Sequence, residues 1–111
     1  MATIQVGQET IQRVAFGPAT GTITLQAVRA GAWLAGCNVV VDSPFDGGVS
    51  LVMGTTTTPG AVFSAGQVAL GTAGQYANQE VVDFASADFL VLTITPGATV
   101  GSGHLVYRYR S

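Results

Sequence analysis

Residues 32–54 read AWLAGCNVVVDSPFDGGVSLVMG, and this stretch decides the fold class. Trp33, Ala35, Cys37, Val39 and Val41 fall on alternate positions, so a strand places all five on one face. Asp42 ends that run, and Ser43-Pro44-Phe45-Asp46-Gly47-Gly48 breaks it. Pro44 presets φ for a turn, and Asp46-Gly47 signals positive φ. Val49, Leu51 and Met53 then resume the alternation. The pattern predicts an antiparallel hairpin whose buried face carries the one Trp and the one Cys.

The same period extends outward in both directions. Gly21–Arg29 places Ile23, Leu25 and Ala27 on one face and Thr22, Thr24 and Gln26 on the other, the half-buried antiparallel pattern. Asp88–Thr95 carries Leu90, Leu92 and Ile94 on one face and Phe89, Val91 and Thr93 on the other. Both faces are largely apolar, which places this strand centrally, with Leu92 in the core beside Trp33. Pro96-Gly97 stops it, because Pro cannot donate to a ladder. In His104–Arg110, Leu105, Tyr107 and Tyr109 alternate with Val106, Arg108 and Arg110.

Weaker segments lie between. Ala2–Gln8 and Thr10–Phe16 are β-prone, but Ile11 sits out of phase with Val14 and Phe16, as a bulge or a loose arm would explain. Thr55–Gly60, TTTTPG, is a loop, since β-branched residues before Pro favour an extended, non-helical backbone. Ala61–Gly71 is irregular, with a strand ending near Leu70. Gly71–Gln79 reads as a loop, and Glu80–Phe84 as a short strand or bent crossing. No segment shows a helical period. Seven to nine short strands, with turn signals about every eight to twelve residues, predict an all-β antiparallel sandwich. Residues 1–20 form an N-terminal segment or arm, partly β, and residues 21–111 the sandwich domain.

The chain has 111 residues, with 9% charged residues and a net charge of −2. Ordinary soluble domains carry about 25% charged residues. All four basic residues are Arg. Mean hydropathy is +0.45. So few charges and no Lys leave β edges poorly guarded, which implies that partners cover much of the surface. The acidic balance, with a pI near 4.9, argues against a nucleic-acid partner bound through a basic surface. Met1-Ala2-Thr3 has no basic n-region or apolar h-region, so no secretory signal is expected. Gly47–Gln79 is uncharged, yet Thr, Gly, Pro, Ser and Gln interrupt it, so no membrane span is expected.

Chemistry is sparse. One Cys excludes a disulfide within this chain and a Cys-based zinc site. Cys37 reads as a small core residue. His104 is the one base candidate for a hydrolytic triad and reads instead as a strand-start residue. Asp42 and Asp46, and Asp83 and Asp88, flank turns, where backbone bonding explains them. Asp42–Asp46 lacks the spacing of a calcium loop. Gly101-Ser102-Gly103 lacks the helix and Lys of a phosphate loop. No catalytic, cofactor-binding or metal residue is therefore assigned, and no enzyme is expected. Arg108, Arg110 and Tyr109 are the candidate protein-interface residues, because Tyr and Arg are enriched at interface hot spots. The alternative is a core-facing Tyr pair with solvated Arg.

The strand–turn–strand VVVDSPFDGGVSLVMG and the C-terminal DFLVLTITPGATVGSGHLVYRYR, with the Thr/Gly/Ala-rich, Lys-free composition, resemble small virion proteins that decorate or cement tailed-phage heads. The likeness runs from Thr22 onward and is greatest to the jelly-roll-like staple proteins of short-tailed phages. It implies a non-enzymatic protein on the capsid exterior, assembled in the host cytoplasm. It also implies that the protein binds the major capsid protein and bridges capsid subunits, often as a symmetric oligomer, here a dimer or trimer. The rival readings are a head fibre or tail component contacting the host surface, and a carbohydrate-binding sandwich module.

Overall fold

The computed structural model describes residues 9–79 and 81–110. Among them are eight strands and no helix: β1 (Glu9–Phe16), β2 (Thr22–Val28), β3 (Trp33–Ser43), β4 (Leu51–Thr55), β5 (Gly74–Asn78), β6 (Val82–Asp83), β7 (Asp88–Ile94) and β8 (Ser102–Arg110). They form two antiparallel sheets. One has the order β1-β8-β3, with β5 and β6 sharing the far side of β3; the other has the order β2-β7-β4. The expected Ala2–Gln8 segment lies outside the described residues.

The pairing is nested. β1 pairs with β8, β2 with β7, and β3 with β5 and β6. Met53 of β4 bridges to Phe63. The chain is therefore one long hairpin rolled into a sandwich, with residues 55–61 at its tip. That is the jelly-roll arrangement, in which the chain passes back and forth between two sheets; here it does so at every step except from β5 to β6, which share the first sheet.

This winding corrects the reading of residues 32–54. β3 and β4 are not a hairpin, because they belong to different sheets. Both sides of β3 are already paired, and the intervening loop crosses between the layers. Phe45 drives the crossing: it is 5% exposed and stacks on Phe16 with ring centroids 5.8 Å apart. Its N–H donates to the Leu70 carbonyl at 2.8 Å. Burying a Phe contributes roughly 1.5–3 kcal/mol, which a solvent-facing hairpin turn would forgo. The positive φ expected at Gly47 is present, at 78°.

A bulge corrects the phase of β3. Leu34 pairs with Tyr109 and Cys37 with Tyr107, so three steps on β3 match two on β8. Gly36, at φ 139°, accommodates the extra residue. The alternation reverses across it. Cys37, Val39 and Val41 face the core as expected, but upstream it is Leu34 that is buried and Trp33 that turns outward. A second bulge, between Thr24 and Gln26, leaves Ala27 exposed and Val28 buried in β2.

Two other segments differ from expectation. Gly74–Asn78 is a strand rather than a loop. No strand ends near Leu70; Val62, Phe63, Val68 and Leu70 are nonetheless buried, as a loop folded over the end of the core. By contrast, β7 lies centrally between β2 and β4 as expected, and Leu92 is fully buried. The phase conflict in Thr10–Phe16 needs no bulge, because the β1–β8 ladder is unbroken. Phe16 faces inward and Ile11 outward.

Candidate protein interface

The buried faces of β8 and β3 define what the first sheet shows to the outside. Leu105, Tyr107 and Tyr109 point inward, so His104, Val106, Arg108 and Arg110 point outward. Tyr109 thus sits behind the face rather than on it. It is 6% exposed, and its hydroxyl accepts the Arg29 N–H at 2.9 Å. The Tyr107 hydroxyl donates to Gln26 Oε1 at 2.8 Å, tying the two sheets together. Burial, with a smaller contribution from Cys37, pushes the Tyr107 phenol up to about 12.

Register assembles the outer face in rows. Arg110 lies opposite Trp33, which lies opposite Asp83. Ile11 lies opposite Arg108, and the bulge at Ala35-Gly36 follows on β3. Arg13, Val106, Asn38 and Ala77 form the next row, and Ala15, His104, Val40 and Gln75 the last. The face therefore collects the one Trp and three of the four Arg. It also carries Ile11, a large apolar side chain 57% exposed. His104 Nδ1 lies 3.0 Å from Asp42 Oδ2 at the end away from Arg110.

The bulge also shapes this surface. Small residues at 35 and 36 leave an open recess of about 280 Å³, lined by Ile11, Ala35, Gly36, Asn38, Gln79, Val106 and Arg108. Sequence reasoning found Arg108 and Arg110, because the alternation of β8 is clean. It missed Trp33, Ile11 and Arg13, whose placement depends on the bulge and on cross-strand register.

The remaining candidate groups have structural roles. Cys37 is buried with its Sγ 3.4 Å from Met53 Sδ, and burial pushes its thiol up to about 12. Such a thiol carries almost no thiolate at neutral pH, so it is a poor nucleophile. Asp46 accepts from the Thr99 hydroxyl and N–H, both at 2.6 Å, and from the Val100 N–H at 3.1 Å. These bonds hold its carboxyl down at about 2. Asp88 accepts from the Thr56 hydroxyl, the Thr57 N–H and its neighbour's Phe89 N–H, and they hold its carboxyl well below the usual range. It thereby anchors the hairpin tip. Among the described residues, no three of His, Cys, Asp and Glu cluster to hold a metal ion.

With this geometry in place, the chain can be set beside known proteins. Two bacteriophage capsid structures contain chains of this fold. One is the acidic stable capsid structure of Helicobacter pylori bacteriophage KHP30: TM-score 0.74, 16% identity, covering 96% of this chain and 90% of that one. The other is the cyanophage Pam1 capsid asymmetric unit: TM-score 0.65, 18% identity, covering 99% of this chain and 89% of that one. At these identities the likeness is one of fold. No protein-family model and no curated protein matches the chain.

Proposed function

We propose that this protein is a non-enzymatic structural component of a bacteriophage virion. It binds the outside of the capsid shell through the major capsid protein and stabilises the shell by bridging neighbouring subunits. The observation that carries this reading is the jelly-roll likeness to the two phage capsid chains, which runs over nearly the whole length of each. The surface supports it. β1 presents an unbroken ladder edge without Lys or Pro, and the adjoining sheet face pairs Trp33 and Ile11 with Arg13, Arg108 and Arg110. Trp and Arg are the side chains most enriched at interface hot spots.

Size favours an oligomer. Four strands at about 4.8 Å spacing, over six residue steps of about 3.3 Å, give a face of roughly 400 Å². A stable interface buries about 800 Å² per partner. A dimer or trimer that engages several shell sites at once supplies the missing affinity by avidity. Arg108 and Arg110 then contact shell carboxylates as planar forks, while Tyr109 fixes their strand from behind.

The test is co-sedimentation of the purified protein with heads that lack it, run beside binding to host-surface polysaccharide. Saturable binding to heads is expected. Binding to polysaccharide and not to heads would replace this reading with that of a host-contacting fibre or tail component.

A further inference from the structure

The bulge in β3 does two things to one place on the molecule. It turns Trp33 outward, and it leaves Ala35 and Gly36 as the floor of the recess described above. A regular strand in this position would carry a side chain every second residue across the face. Here the floor offers one methyl group and one bare backbone, while Ile11 and Val106 form apolar walls and Asn38 and Gln79 polar ones. Gly36 cannot be filled by a side chain without strain, since its φ is 139°. The floor of the hollow is therefore set by the backbone, and its walls by side chains.

Three arginines stand on or next to its rim, with Glu9 the one acidic residue at an equal step along β1. Arg108 lines the recess directly. Arg13 lies two residues along β1 from Ile11, and Arg110 two residues along β8 from Arg108, each about 7 Å away. Three acidic residues share this face among the described residues, and Glu9 of β1 holds the register position opposite Arg110. Asp42 is held by His104 three rows from Arg110, and Asp83 lies two strands across from it. A guanidinium has five N–H donors, so each Arg can hold an intramolecular partner and still accept a carboxylate from outside.

We infer that the recess receives an apolar side chain of the shell protein, flanked in that protein by carboxylates that Arg108 and Arg13 grip. The occupant is thus an acidic surface segment with an apolar residue between its acids. The inference rests on the proposed shell-binding function and specifies the contact. An apolar group that displaces water from this recess as the partner docks, with charge-assisted bonds around it, has the anatomy of a binding hot spot. Charge reversal at the rim should slow association and weaken binding, most at low salt, because the partner's carboxylates would face like charge.

Three variants of the full chain test it against heads that lack the protein. Ala35→Leu fills the recess, Arg13→Glu/Arg108→Glu reverses the rim, and Thr24→Glu alters the opposite sheet face. Ala35→Leu is expected to weaken binding at least tenfold and the double reversal at least a hundredfold, with Thr24→Glu within twofold of the unaltered protein. Circular dichroism and the denaturation midpoint confirm that each is folded. If folded Ala35→Leu and the double reversal bind like the unaltered protein, the inference is overturned.

A probe independent of heads separates this from the functional reading. An NMR titration with acetyl-Glu-Leu-Glu-amide should shift the amides of Ile11, Ala35, Gly36 and Arg108, and acetyl-Lys-Leu-Lys-amide should not. If the protein ignores heads but the acidic peptide maps to the recess, the site stands and the capsid role falls. If neither peptide maps there, or both do equally, the site falls.

Discussion

Leu34→Ala and Trp33→Ala should destabilise the protein by very different amounts, in the order opposite to an unbroken alternation. Leu34 is 1% exposed and lies between Tyr109 and Val82 in the ladder. Truncation removes about three carbons, or roughly 2.4 kcal/mol at ~0.8 kcal/mol each. The cavity adds to this, and measured Leu→Ala losses run from about 2 to 5 kcal/mol. Strands on both sides restrict collapse, so about 3–4 kcal/mol is expected. Trp33 is only half-buried and faces outward, so its loss should be about 1–2 kcal/mol. The assay is urea denaturation at one fixed protein concentration, because oligomerisation couples to stability. With a slope of about 2 kcal/mol per molar urea, the midpoint should fall by roughly 1.5–2 M for Leu34→Ala and by less than about 1 M for Trp33→Ala. The reverse order would mean that the bulge is absent and that Trp33 is the core residue.

Three further outcomes are expected. In Gly54→Ala, the added carbon would lie 2.3 Å from the Thr58 carbonyl oxygen and 2.5 Å from that of Pro59; these are backbone atoms, so the hairpin tip should lift off, and limited proteolysis should show new cleavage within residues 56–60. Unchanged protection there would refute the close approach. Asp46, whose folded pKa is depressed to about 2, should hold the loop at Thr99 above about pH 4, its unfolded range, and release it as pH falls through about 2; the protection factor of the Thr99 amide, its exchange rate set against that of an unstructured peptide at the same pH, should fall in that window, and in Asp46→Asn it should be low throughout and show no such step. Cys37 should react with iodoacetamide only at the rate of global unfolding, given its burial and raised pKa; prompt labelling of the folded protein would contradict its place in the core.

What the sequence revealed about the fold follows from where side chains alone set the pattern. In β7, Leu90, Leu92 and Ile94 mark the core face and all three are buried, whereas the other face is mixed, with Val91 buried and Phe89 52% exposed. In β8, alternating Tyr and Arg assign inside and outside without ambiguity. β3 misled because its odd-position alternation is real only from Cys37 onward. A Gly inside a strand pattern is a bulge signal, so Gly36 held the clue. β5, Gly-Gln-Tyr-Ala-Asn, has no β-branched residue; its strand is imposed by main-chain pairing with β3, which composition does not record. The change of sheet at Phe45 was hidden for a similar reason. Pro44 and Asp46-Gly47 signal a turn equally well whether the chain returns beside itself or crosses a gap. The candidate interface was half legible: Arg108 and Arg110 come from one strand, whereas Trp33, Ile11 and Arg13 join them only through register.

We propose that this chain sits on the outside of a capsid shell with the β1-β8-β3 face turned toward it. Cryo-electron microscopy of heads reconstituted with the protein tests this most directly. Added density is expected on the outer surface, bridging neighbouring subunits, with Trp33, Ile11 and Arg108 against the shell. An empty outer surface, or bound protein with that face turned to solvent, would contradict it.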